Sequence, residues 1–350
     1  MGLETVWFVL AAVMVTVYVV LDGFDLGAGI LHFRVGHDER ERAMVLRSIG
    51  PVWDGNEVWL ISTGGVLVLA FPALYAESFS GFYLPLMVVL WLLIGRACAI
   101  ELRHQIESPA WTPFWDRVFQ FSSVGLAVCF GAALGNVVRG VPFDEQGRFF
   151  EPLWTDMTRT KGATGVLDWY TILVGVTSLA ALAMHGGAWL AVKLEGEPQA
   201  RARAAVRGWW YAVVVASVLV TVATFAVQPH VPTRLAENLW LHVFPLVGVA
   251  GLVGAYVFVR RGRDRATFYA TSTYLVGMLS SAAFGLYPYV LPSSTDPTRG
   301  MTVVSARAGE TALRTGLWWW VPGIALAITY QAWAYRRFRG KVDDDGDGYH

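Results

Sequence analysis

The sequence predicts an all-α, polytopic membrane protein with nine transmembrane helices. Composition and pattern together carry that reading. Hydrophobic residues make up 55% of the 350 residues and charged residues only 15%, and mean hydropathy is +0.46. Apolar runs recur that are long enough to cross about 30 Å of hydrocarbon at about 1.5 Å per residue. Lys and Arg gather in alternate connections between those runs. Basic and acidic residues are equal in number, 27 each, which excludes a nucleic-acid reading based on net charge.

The first span covers 4–31. It is not a cleavable signal, because it opens with Glu4 instead of a basic stretch, is too long, and carries Asp22 and Asp25 near its far end. The second covers 49–70 and contains WDGNEVWL, with Asp54 and Glu57. The third, 80–101, holds Arg96 near its end, and the fourth covers 118–139. A connection rich in Pro, Gly and charge, 140–164, leads to the fifth span, 165–192. Spans six to eight cover 207–228, 238–259 and 267–289, with the run RRGRDR between the last two. A second long connection, 290–312, begins LPSSTDP and suits a turn capping a bundle mouth. The ninth span covers 313–335. The tail KVDDDGDGYH lacks the flanking helices and terminal Glu of a calcium loop and reads as disordered.

Spans one to four and five to eight form two four-helix bundles in this reading, with span nine peripheral. The division is 1–140, an outer connection 141–164, 165–290, an outer connection 291–312, a ninth span 313–336 and a tail 337–350. Of the 27 basic residues, 18 lie in the odd-numbered connections and the tail, 8 in the even-numbered connections and their margins, and Arg96 is the last. The excess of Lys and Arg on one side places the N-terminus outside and the C-terminus in the cytoplasm.

Five charges are the candidate functional residues. Intramembrane ions persist only when they face protein or water. Asp22 lies about 27 Å and Asp25 about 32 Å along span one from residue 4. Asp54 and Glu57 lie about 8–12 Å into span two, which returns from the same side. Arg96 reaches that level on span three. Asp22 and Asp25 are i,i+3, as are Asp54 and Glu57, so each pair shares a helix face. A shared cytoplasmic-side layer results, suited to holding protons or to a specific subunit contact, with interfacial capping as the plainer reading. Gly23, Gly27, Gly29, Gly55, Gly64 and Gly65 allow close helix approach or leave room beside the acids.

No redox or metal chemistry is assigned to this chain. Cys98 and Cys129 lack ligand spacing and read as small apolar residues. His32, His37 and His104 fall near connections and His230 at an outer end. Only His185 and His242 lie within apolar segments, at different depths, which makes a poor haem pair. Gln228, Pro229, Trp240 and Trp318 to Trp320 near the outer surface suit the border of a lipid or quinone tail.

DGFDLG on span one, GPVWDGNEVWLISTGG entering span two and FPALYAESFSGFY after it resemble subunit II of cytochrome bd-type ubiquinol oxidase. RACAIELR, GNVVRGVPF and YPYVLPSS extend the resemblance over essentially the whole chain. It implies a heterodimer with a haem-bearing subunit I, often with a small single-span subunit. It implies quinol oxidation on the outer side and dioxygen reduction to water with cytoplasmic protons. Haem b and haem d are expected in the partner, and some members hold a structural quinone. Asp54 matches the family's buried acid on the proposed proton route, and Asp25 and Arg96 match groups lining it. Asp22 and Glu57 are supporting members, since Glu57 stands where some relatives carry an amide. Two alternatives rest on the same residues: a proton-coupled secondary transporter, and a haem-bearing cytochrome using His185 and His242.

Overall fold

A computed structural model describes residues 2–106 and 108–342. Six helices are each long and apolar enough to cross a membrane: α1 (Leu3–Ile30), α6 (Tyr83–Leu102), α7 (Trp111–Arg139), α8 (Trp169–Lys193), α9 (Gly196–Val227) and α11 (Val243–Arg260) with the 3-10 turn before it. A seventh is the pair α4 (Trp53–Ala70) and α5 (Pro72–Gly81), bent by 120° at Phe71. Pro72 opens α5 where a helix needs no N–H donor. The stretch expected as a plain connection, FPALYAESFSGFY, is thus mostly helical. α12 (Asp264–Leu286) and α13 (Glu310–Arg337) run over the eighth and ninth expected intervals. The disordered tail expected from 337 onward falls largely on residues outside those described.

The shorter elements account for most boundary differences. The connection after span one folds into α2 (His32–Val35) and α3 (Glu39–Ile49). The Asp38 carboxylate caps α3 by accepting from the Glu41 amide at 2.8 Å. Span two then begins at Trp53 and not at 49, because Gly50 and Pro51 break the chain between α3 and α4. α9 begins at Gly196, eleven residues before the expected span. At 32 residues it reaches about 48 Å, so its Arg-rich first turns project beyond the apolar layer. α10 (His230–Glu237) joins α9 to the turn before α11.

α1 and α8 pack side by side at the centre. A Cβ built on Gly27 would lie 2.1 Å from the Leu182 carbonyl oxygen and 2.6 Å from Gly186 Cα. Only hydrogen side chains on both helices permit that approach. Gly277 does the same for α11 and α12, where an added Cβ would lie 2.2 Å from the Gly248 nitrogen. Gly64 and Gly65, expected to serve similarly, face open space within this chain. Around the crossing, Phe24 stacks on Trp189 at 4.1 Å between ring centres, and the buried core gathers from α1, α3 and α8.

The two long connections meet over one end of the helices. Val141 donates to the Pro292 carbonyl at 3.0 Å and Ser294 to that of Val141 at 2.9 Å. A small hairpin, β1 (Tyr289–Leu291) with β2 (Met301–Thr302), lies in the second connection. Phe143 and Phe149 are buried beneath this cap. The opposite end carries α2, α3 and the basic connections.

Overpacking the central crossing should be costly. Gly27→Leu is expected to destabilise the chain by roughly 1–3 kcal/mol or more, read as a lower melting temperature of the purified assembly. Gly208→Ala on exposed α9, where a Cβ meets nothing within 4 Å, is expected to leave it unchanged or slightly raised.

Candidate functional site: a buried ion cluster

At the basic end, three elements bring charges into the interior. α1 carries Asp22 and Asp25, each fully buried, and α6 carries Arg96, also fully buried. α4 brings Asn56 and Glu57. Arg96 donates from Nη1 to Asp22 Oδ2 at 2.9 Å and from Nη2 to Glu57 Oε1 at 2.5 Å. Its Nη2 also lies 2.8 Å from Asp22 Oδ1. One guanidinium therefore bridges acids from two other helices. The planar fork of arginine suits such bridging, and a buried charge requires it. The Tyr18 ring, one turn before Asp22, packs edge-on against Phe130 at 5.7 Å between ring centres.

Asp25 belongs to a second network sharing the same layer. Asn56 Nδ2 donates to Asp25 Oδ2 at 2.7 Å. The Asn56 carbonyl in turn accepts from Gln331 Nε2 at 2.7 Å and from the Tyr335 hydroxyl at 2.9 Å. α13 thus reaches the buried acid through an amide. Asp25 Oδ1 is buried and has no hydrogen-bond partner among the described residues.

Of the five expected residues, Asp22, Glu57 and Arg96 form one bonded group, and Asp25 joins the layer through Asn56. Asp54 stands apart. It lies exposed in the first turn of α4, where a negative charge complements the helix dipole. It was expected in the interior, but a helix that starts at Trp53 and not at 49 leaves it at the helix mouth. It heads an exposed stripe with Val58, Ile61, Gly65 and Val68. Glu57, one turn further, has 21% of its side chain exposed and connects this surface to Arg96.

Sequence reasoning missed Asn56, Gln331 and Tyr335. Asn56 lies inside the very motif that carries Asp54 and Glu57. Gln331 and Tyr335 are polar groups four residues apart on an apolar span, a one-face signal that was available.

Two further buried clusters lie outside the predicted set. Asp116 accepts from His32 Nε2 at 2.8 Å, Arg42 Nε at 3.0 Å and Arg103 Nε at 2.6 Å, tying α2, α3 and the end of α6 to α7. Burial pushes the His32 imidazole down, against the pull of Asp116. Under the cap, Arg139 pairs with Asp168 and, at 2.5 Å, with Glu151. Glu151 also accepts from Thr164 Oγ1 at 2.7 Å. Burial pushes the Glu151 carboxyl up to about 7, with Arg139 and Thr164 opposing and Asp168 adding to the rise.

The two histidines of the apolar segments are bonded to other groups. His185 Nε2 donates to the Val20 carbonyl at 2.9 Å and its Nδ1 bonds Thr271 Oγ1 at 2.8 Å, so both ring nitrogens are engaged. His242 is exposed and bonds the Leu239 carbonyl at 3.0 Å.

Residues 3–338 match the family described as cytochrome bd terminal oxidase subunit II. The chain is 32% identical over 341 residues to cytochrome bd ubiquinol oxidase subunit 2 of Bacillus subtilis, covering 97% of each. It is 31% identical over 366 residues to a probable cytochrome oxidase subunit 2 of Haemophilus influenzae, covering 97% of this chain and 95% of that one. For cytochrome bd-I ubiquinol oxidase subunit 2 of Escherichia coli K12, identity is 29% over 368 residues, with coverage of 97% and 95%. Its fold matches a chain in the structure of bd oxidase from Geobacillus thermodenitrificans with a TM-score of 0.76, at 16% identity, over 97% of this chain and 99% of that one.

Removing the bridging cation should strand Asp22. Arg96→Gln is expected to cost roughly 3–5 kcal/mol of stability, and adding Asp22→Asn should recover part of that loss in thermal unfolding. Glu151 sets a pH dependence at the cap. Its folded carboxyl titrates near 7 against an ordinary 4.5, so the folded state binds more protons between those values. Stability is then highest below about pH 4.5 and declines as pH rises through 7. Hydrogen exchange of residues 141–168 across pH 5 to 8 should show that decline, and Glu151→Gln should flatten it.

Proposed function

The chain belongs to the cytochrome bd terminal oxidase subunit II family, a component of a respiratory quinol oxidase complex, and from that premise we propose two roles for it. It stabilises the haem-bearing subunit I, and it lines a cytoplasmic proton route toward the oxygen-reducing haems. The complex oxidises quinol and reduces dioxygen to water. The single observation that supports the second role is the layered acid cluster at the basic end. Asp54 is exposed at the α4 mouth, Glu57 is partly exposed one turn deeper, and Asp22 and Asp25 are buried behind Arg96 and Asn56.

In this reading each group has a distinct task. Asp54 collects protons where the α4 stripe meets the partner subunit. Glu57 carries them past the surface. Arg96 cannot release a proton and serves as the fixed counter-charge that holds Asp22 in place. Asp25, held by the Asn56 amide, keeps one carboxyl oxygen without a hydrogen-bond partner among the described residues and so able to take up a proton. Gln331 and Tyr335 hold Asn56 in the orientation that donates to Asp25.

The wider assembly follows from the same reading. α12 and α13 complete nine spans, with α1, α4, α6 and α7 as one four-helix bundle, α8, α9, α11 and α12 as the other, and α13 peripheral. The basic connections place the C-terminus in the cytoplasm and the N-terminus outside. Haem b and haem d reside in subunit I, consistent with the engaged nitrogens of His185. A small single-span subunit completes the complex, and a structural quinone is the one cofactor considered for this chain. Family membership removes the reason to prefer a transporter from the same charges.

Asp54→Asn tests the route. Oxygen consumption by the intact, haem-loaded complex is expected to fall roughly tenfold, equivalent to about 1.4 kcal/mol on the barrier, with assembly retained. Full turnover in an intact variant complex would reject Asp54 as a relay.

A further inference from the structure

α13 packs directly on α1 and α4. On its other side a groove of about 1280 Å³ separates it from α8 and α12. Val13, Val17, Phe268, Ile324 and Ile328 are among the apolar residues of its walls. From Trp320 to Tyr335 it follows α13 for about 22 Å, more than the roughly 15 Å of a single leaflet's hydrocarbon.

The groove changes character at the basic end. Lys193, Arg263, Arg265, Arg339 and Lys341 line it there, with a single acid, Asp264. That acid is already taken by Arg203, at 2.8 and 2.6 Å. Lys193 donates to the Phe338 carbonyl at 2.6 Å and Lys341 to the Leu194 carbonyl at 2.7 Å. Those bonds satisfy donors without neutralising charge. Arg263, Arg265 and Arg339 are exposed and pair with no carboxylate among the described residues. Among the described residues, the site is therefore a long apolar trough ending in an excess of positive charge.

We propose that this groove binds one anionic phospholipid. Its phosphate sits among Arg263, Arg265 and Arg339, and one acyl chain lies against Val17, Ile324 and Ile328. Charge complementarity selects this occupant, since basic pockets between helices attract anionic headgroups at the cytoplasmic surface. A quinone head is neutral and would leave the cations unanswered. The chain's own acidic end, DDDGDGYH, supplies charge but no aliphatic side chain for the trough. The lipid would fill the gap behind α13, the helix that delivers Gln331 and Tyr335 to Asn56. The proposal does not depend on the proton-route reading, because lipid retention and turnover are separate readouts.

The test uses the intact oxidase complex in nanodiscs of phosphatidylcholine with a minor fraction of phosphatidylglycerol, followed by native mass spectrometry. The wild-type complex is expected to retain one phosphatidylglycerol. Arg263→Gln, Arg265→Gln and Arg339→Gln combined should reduce its retention about tenfold or more. Ile328→Trp, which narrows the trough without altering charge, should reduce it as well. These variants act through different groups, so failure of one to assemble leaves the other as a test. Unchanged retention in an assembled variant would overturn the proposal. So would equal retention of phosphatidylcholine, displacement by inorganic phosphate, or an isoprenoid quinone found in its place.

Discussion

A guanidinium with no exposure to solvent constrains this protein more than any other single group. Arg96 cannot lose its charge inside the helix layer, so acids must come to it from neighbouring helices. Asp22 on α1 and Glu57 on α4 supply them, at 2.9 and 2.5 Å. That requirement locks the relative height and rotation of α1, α4 and α6. Asn56, beside Glu57, is thereby aimed at Asp25, and α13 follows because Gln331 and Tyr335 bond the same amide. Two hydrogen-bond networks, joined through the backbones of α1 and α4, thus tie together α1, α4, α6 and α13.

The second constraint is steric. Gly27 and Gly186 let α1 and α8 touch backbone to backbone, and this contact joins the first and second halves of the chain. Gly27 follows Asp25 by two residues, so the same short segment presents acids to one side and bare backbone to the other. This explains why LDGFDLGAG is both charged and glycine-rich. At the opposite end, Arg139 performs the bridging task for Asp168 and Glu151 and pins the first long connection. Buried arginines shared between two acids therefore occur at both ends, one beneath the cap and one at the basic surface.

Much of this was legible in the sequence, and the parts that were not have physical causes. Hydropathy located every long helix, and depth counting placed Asp22, Glu57 and Arg96 in one layer, because rise per residue converts position into height. Depth does not report rotation about a helix axis. Asp54 and Glu57 share a face by spacing, yet the face turns outward at Asp54, where α4 begins after the Gly50–Pro51 break. Asp116 was invisible because its partners, His32, Arg42 and Arg103, come from connections whose fold hydropathy does not describe. Arg139 was counted only as a charge in an outer margin. Gln331 and Tyr335 were readable as a one-face polar pair, but no nearby motif drew attention to them.

The proposed proton route requires the Asp25 carboxyl to change protonation while the oxidase turns over. Reaction-induced infrared difference spectroscopy on the intact complex measures that directly, in the carboxyl stretching region. A band from a carboxyl group that gains or loses a proton during turnover, absent in the Asp25→Asn complex, is the expected result. A difference spectrum identical in the wild-type and Asp25→Asn complexes, with both turning over, would contradict it.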